Sequence, residues 1–161
     1  MSKQKANHSF FSAYQAVRKG EAPKRRAKDR SVPTHPTIPC PEVKESVVLQ
    51  QVQLWLKRHR ICADRMNVGA GHLEGTDRFH TYGIPGAGDI MAILPGGIHC
   101  EIECKAGAGG RWSEDQQKRC KKVLDAGGIY VIIHGIPELA DWYENFVVHK
   151  RKRVLFSGGQ K

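Results

Sequence analysis

A chain of 161 residues has room for one domain of about 100–130 residues with tails, and not for two cores. Hydrophobic residues at 40% and charged residues at 26% are ordinary globular usage; with no apolar run near the roughly 18–20 residues of a membrane span and no signal-peptide core, a soluble, cytoplasmic protein with no membrane partner is expected. The formal charge of +10 favours a polyanionic partner, nucleic acid ahead of an anionic membrane, because each basic group that meets a phosphate releases condensed counterions.

Residues 1–39 read as a basic, flexible N-terminal arm. Lys3, Lys5, Arg18, Lys19, Lys24, Arg25, Arg26, Lys28 and Arg30 stand against Glu21 and Asp29, and the proline-rich stretch Val32–Pro41 favours an extended linker. Such an arm either keeps the chain in solution or binds phosphate and orders on DNA. Within it, Phe10–Val17 is compatible with a short helix. A folded domain over 40–148 follows.

Glu42–His59 is predicted helical, because Val48, Val52 and Trp55, extended by Leu49 and Leu56, form one apolar stripe. Glu45 lies on that stripe. Either it sits in the first turn near solvent, where the helix dipole favours it, or it points into a site at the end of the core. Ile61–Val68 reads as an edge strand and Gly69–Gly88 as a loop. Two β-like runs, Gly88–Leu94 and Ile98–Lys105, flank the turn Pro95–Gly97 and predict a hairpin. Ser113-Glu-Asp-Gln116 is a capping box, opening a helix that runs to Ala126 and stops at Gly127-Gly128. Ile129–His134 is predicted as a buried strand and Pro137–Asn145 as a short helix, before a basic C-terminal tail over 149–161. The order implies an α/β sandwich around a small mixed sheet.

The five cysteines, Cys40, Cys62, Cys100, Cys104 and Cys120, are odd in number and lack C-x-x-C spacing, so neither a disulfide framework nor structural zinc is expected. His72, His80 and His99 are too irregularly spaced for zinc and read as facing solvent or DNA.

The hairpin carries the chemistry. Strand alternation puts Cys100, Ile102 and Cys104 on a core face and His99, Glu101, Glu103 and Lys105 on the other. With a three-residue turn, paired positions sum to 192 and Asp89 falls opposite Glu103. Two carboxylates at that distance repel unless a cation lies between them. With a backbone carbonyl and waters they suit Mg²⁺ or Mn²⁺. Lys105 shares their face, where its ammonium can position a water and steady charge on a phosphate. These are the parts of a phosphodiester hydrolase; an exposed ion pair on a hairpin is the plain alternative.

Pro85-Gly-Ala-Gly-Asp89 followed by Glu103-Cys-Lys105 resembles the PD-(D/E)xK nuclease signature. The wider run, Gly83–Ile90, Ile102–Lys105 and Gly110–Gln116, is similar to the VRR-NUC branch of that superfamily, over roughly Glu42 to His134. One departure is that Ala87-Gly88 separates Pro85-Gly86 from Asp89. The resemblance implies a restriction-endonuclease-like core, with Asp89 and Glu103 as metal ligands, Cys104 lending its carbonyl and Lys105 as catalytic lysine. Glu45 would be the helix-borne acid, with Glu42 as the fallback. Gln116 would be the active-site glutamine, a role its capping would explain equally well. It further implies a Mg²⁺-dependent endonuclease, with Mn²⁺ substituting, cutting branched DNA such as Holliday junctions. Stand-alone members are often viral, which would place the protein in a host cytoplasm, and such resolvases usually act as homodimers. A non-catalytic basic nucleic-acid-binding protein, or a nuclease acting on DNA ends or RNA, are the competing readings.

Overall fold

The computed structural model describes the backbone of residues 3–24, 26–66, 69–72 and 79–157, and the side chains of residues 10–24, 26–66 and 83–146. In chain order the elements are α1 (Lys3–Arg18), β1 (Val32–Thr34), α2 (Glu45–Arg58), β2 (Cys62–Arg65), β3 (Gly69–His72), β4 (Phe79–Tyr82), β5 (Ile90–Leu94), β6 (Ile98–Cys104), β7 (Gly110–Trp112), α3 (Glu114–Asp125), β8 (Ile129–Ile133) and α4 (Ile136–Ser157).

The protein is a mixed α/β fold. Its main sheet has the order β2-β5-β6-β8, with β2, β5 and β6 antiparallel and β8 parallel to β6. β1 pairs with β7, and β3 with β4. β6 lies at the centre, buried on both faces from Cys100 to Cys104. On one face Cys100, Ile102 and Cys104 pack with Val48, Val52 and Leu56 of α2 and Leu139 of α4. On the other, Tyr130 and Ile132 of β8 pack with Cys120 and Val123 of α3, Trp112, and Ala13 and Val17 of α1. Two helical layers thus sandwich the sheet, as the alternation of apolar faces dictates.

Helix α3 is built from local signals at both ends. The Ser113 Oγ accepts from Gln116 N at 3.2 Å, and Gln116 Oε1 accepts from Ser113 N at 2.9 Å. At its other end Gly127, with φ +82°, donates to Leu124 O while Gly128 donates to Val123 O, the pair of bonds of a Schellman stop.

Four expectations for the elements differ from the structure. The residues read as a flexible arm include α1 and β1, and both are packed. Phe10, Ala13, Tyr14 and Val17 recur at helical spacing, and the Phe10 and Tyr14 rings contact Trp112 at centroid distances of 5.8 and 6.0 Å. Tyr14 Oη donates to Tyr130 O at 3.1 Å, and Val32 is fully buried. The proline-rich stretch is extended but tied down. Glu138 Oε1 accepts from Thr37 N at 2.8 Å and Thr37 Oγ1 at 2.9 Å, while buried His134 lies 3.0 Å from Thr34 Oγ1. The basic groups dominated the reading of the arm, although Lys19, Lys24, Arg26, Lys28 and Arg30 are exposed and leave the apolar stripe free to pack.

The second difference lies in 69–88, read as a loop, which contains the paired strands β3 and β4. Its glycines and polar residues masked the strands. Third, β2 ends at Arg65, short of Val68; residues 67–68 fall outside the described ones. Finally, α4 runs well past Asn145 to Ser157, into the stretch read as a tail. The side chains of the basic run His149–Arg153, like those of His72 and His80, lie outside the described residues.

All five cysteines are free thiols. Burial pushes those of Cys100 and Cys120 up to about 12, so they are inert core groups. Among the described residues, no helix is long and apolar enough to cross a membrane.

Candidate active site

The hairpin register follows the three-residue turn: Leu94 pairs with Ile98, and the ladder continues to Ile90 with Ile102. Gly97 N donates to Leu94 O at 3.0 Å to close it. Asp89 stands one step beyond the last pair. Instead of facing Glu103 squarely, it turns its carboxylate onto the strand end, where Oδ2 accepts from Cys104 N at 2.8 Å. In a strand the N–H and C=O of one residue point to the same edge, so the Cys104 carbonyl also lies on the Asp89 side.

The glycines before Asp89 are required by close approach. A Cβ on Gly86, whose φ is +72°, would meet Asp115 O at 2.1 Å, and one on Gly88 would lie 3.0 Å from the Ile102 backbone. The loop is wedged between the first turn of α3 and β6. Tyr130 Oη, rising from β8, donates to Gly86 O at 3.1 Å.

Glu103 and Lys105 are 4% and 7% exposed, so this is no surface ion pair. Lys105 Nζ donates to Glu103 Oε1 at 2.7 Å, and Gln116 Nε2 donates to the same oxygen at 2.5 Å. Gln116 therefore makes the capping bonds and also reaches Glu103. One end of its amide caps α3, and the other holds Glu103. Burial and then the negative charge of Asp89 push the Glu103 carboxyl up to about 7, against the pull of Lys105; Glu45 adds to the push.

Glu45 occupies the first turn of α2 and is exposed, as the plainer account of it required. Its charge nevertheless acts on Glu103 and on Cys104. Glu42 is also exposed, three residues before it.

Sequence reasoning gave Glu101 no role. It is fully buried on the same face as Glu103, and Arg119 donates to it from Nε, at 3.0 Å to Oε1 and 3.1 Å to Oε2, and from Nη2. His99 Nε2 lies 3.1 Å from Oε1, and Gly88 N donates to Oε2 at 3.2 Å. A carboxylate on a central strand demands such a partner, and that demand was the available signal.

Among the described residues, no group of three or more His, Cys, Asp or Glu side chains is arranged to hold a metal ion. Comparisons with models of protein families, with curated proteins and with solved structures returned no match.

Proposed function

We propose that this chain is a Mg²⁺-dependent deoxyribonuclease of the VRR-NUC type, with Mn²⁺ able to substitute. It hydrolyses phosphodiester bonds in branched or otherwise structured DNA, Holliday junctions among them. The observation that carries the reading is the convergence of Asp89, Glu103, Lys105 and Gln116 at one end of the hairpin, with buried Glu103 held by both the lysine and the glutamine. The element order supports a restriction-endonuclease-like core. A helix (α2) precedes three antiparallel strands (β2, β5, β6), and a second helix (α3) leads to a strand (β8) parallel to the last of them.

The donor chemistry fits a hard cation. Asp89, Glu103 and Glu45 bring negative charge toward the strand end, and burial first, then the charge of Asp89 and more weakly that of Glu45, raises the Glu103 carboxyl to about 7. A positive charge placed among them relieves the repulsion. Asp89, Glu103 and the Cys104 carbonyl would hold the ion, with the charge of Glu45 adding its attraction from the start of α2. When bound, a divalent cation supplies a Lewis acid for the phosphate and acidifies a coordinated water.

The remaining work falls to the chain's own groups. Gln116 and Lys105 fix one Glu103 oxygen and so orient the carboxylate. The Lys105 ammonium carries positive charge to where the phosphate would gain negative charge, in a site that burial keeps low in dielectric. The Cys104 N–H holds Asp89 in one rotamer. Exposed Lys19, Lys24, Arg26, Lys28 and Arg30 supply the electrostatic attraction for a DNA backbone. Matched cuts in a symmetric junction call for a homodimer.

The test is cleavage of labelled four-way junctions, flaps, nicked and single-stranded DNA, on circular and linear backbones, with Mg²⁺ or Mn²⁺. Wild type is expected to cut at least one structured substrate and Lys105→Ala none, with binding retained. Absence of cutting on the whole panel, or equal cutting by both proteins, sinks the proposal. Cutting of linear but not circular DNA points instead to action at ends.

A further inference from the structure

Two residues before the carboxylate of the proposed site lies a second buried carboxylate that the chemistry does not use. Glu101 is fully buried, and its oxygens are engaged by three different parts of the molecule. Arg119, 15% exposed in its side chain, reaches it from α3, three residues beyond Gln116. His99 reaches it along β6 itself. The third contact is the backbone N–H of Gly88, the residue preceding Asp89.

We infer that Glu101, clamped by Arg119, is the positioning residue that sets the Asp89 loop against the strand bearing Glu103 and the helix bearing Gln116. This rests on the nuclease reading of the site.

The geometry gives the reason. Asp89 lies beyond the last β5–β6 pair, Ile90 with Ile102, and its main-chain bond runs to Met66 on the β2 side, so main-chain pairing does not set it against β6. Four hydrogen bonds tie the loop to its surroundings: Met66 N to Asp89 O from the end of β2, Tyr130 Oη to Gly86 O, Gly88 N to Glu101 Oε2, and Cys104 N to Asp89 Oδ2. The Glu101 bond is adjacent to the ligand residue and, like the bond from Cys104 N to Asp89, is charge-assisted, which makes these two the stronger kind. The guanidinium offers its donors in a fixed planar fork, so Arg119 also ties the loop's anchor to α3 at a set distance. Gln116 extends from that same helix to Glu103. One carboxylate thus couples the three elements that must agree in position before two acidic groups can share an ion. Partners of ligands in this sense typically change metal affinity or activity by about 10–100-fold when altered.

The discriminating variant is Glu101→Gln in the full chain. It is nearly isosteric, but its NH₂ end cannot accept, so Gly88 N–H and the Arg119 fork compete for the one oxygen that remains. Arg119→Lys, which keeps the charge and loses the fork, is the second variant should the first fail to fold. Two readouts apply, neither of which is cleavage: Mn²⁺ affinity by electron paramagnetic resonance, and hydrogen exchange at the amides of 86–89 in metal-free protein.

The expected result is Mn²⁺ binding weakened by about 10–100-fold, with exchange at Gly88 accelerated while α2 and β8 stay protected. Mn²⁺ affinity equal to wild type in a folded Glu101→Gln protein overturns the inference and leaves the nuclease proposal standing. Mn²⁺ binding that is absent from wild type, or unchanged in Asp89→Ala, overturns both.

Discussion

Glu101 and Glu103 lie two residues apart on one strand, share a face and are both buried, yet their proton affinities move in opposite directions. Burial alone raises both. At Glu101 the hydrogen bonds from Arg119, His99 and Gly88 outweigh it, and the carboxyl sits below its ordinary range. At Glu103 burial is reinforced by Asp89 and Glu45, Lys105 does not offset them, and the carboxyl rises to about 7. The contrast separates a settled structural group from a strained one. Paired, saturated charge builds the frame, whereas crowded like charge leaves a demand that a cation can meet.

The contrast can be broken in several ways, the largest at the ammonium. Lys105→Ala should lower cleavage by about 10²–10⁴-fold at saturating Mg²⁺ while leaving DNA affinity near wild type, as single-turnover kinetics and a gel-shift titration would report. Retained activity would remove Lys105 from the chemistry.

Next is the frame. Arg119→Leu strands the fully buried Glu101 without its cation and should cost about 3–5 kcal/mol in urea unfolding. An effect below the roughly 1 kcal/mol of surface pairs would mean that the clamp is not formed.

Glu103→Gln should act in the opposite sense, stabilising the metal-free protein by about 1–3 kcal/mol at pH 8 while abolishing cleavage. Here the direction with pH is fixed. The folded state holds the Glu103 proton more tightly than the unfolded chain. The metal-free protein therefore loses stability as pH rises from the ordinary carboxylate range to about 7, and the loss is complete above that. Glu101 contributes stability present above the ordinary carboxylate range and lost as pH falls through its lowered value. Melting curves between pH 4.5 and 8 should show the first slope in wild type and not in Glu103→Gln. An identical slope in both would contradict the assignment to Glu103.

Smallest is Tyr130→Phe, which removes the hydroxyl that reaches Gly86 O. It should cost about 0.5–1.5 kcal/mol, and a modest loss of cleavage should follow it. An unchanged melting temperature would leave the loop to the bonds made by Met66, Glu101 and Cys104.

Much of the site was legible in the sequence because it depends on short-range rules. Alternation along Ile98–Lys105 put Glu103 and Lys105 on one face, the Pro95–Gly97 turn set the register, and Ser113 with Gln116 marked the start of α3. The apolar stripe of α2 was equally plain. The expectation for 1–39 missed because net charge was weighed above the spacing of Phe10, Ala13, Tyr14 and Val17, which is as periodic as that of α2. Strand β3, Gly69-Ala-Gly-His72, was hidden by its glycines, and β4, Phe79-His-Thr-Tyr82, is four residues with no apolar–polar alternation to read.

The sequence by itself determined strand parity, hairpin register and helix start, since each follows from the conformations of a few consecutive residues. Only the tertiary structure decided which buried carboxylate received a full set of partners. Arg119 is 18 residues from Glu101, and Gln116 is 13 from Glu103. Whether a helix turns its arginine or its glutamine toward a given strand position depends on the packing of α3 against β6, to which no local rule extends. That packing makes Glu101 a clamp, leaves Glu103 strained, and lets one glutamine both cap its helix and hold the carboxylate on which the proposed chemistry depends.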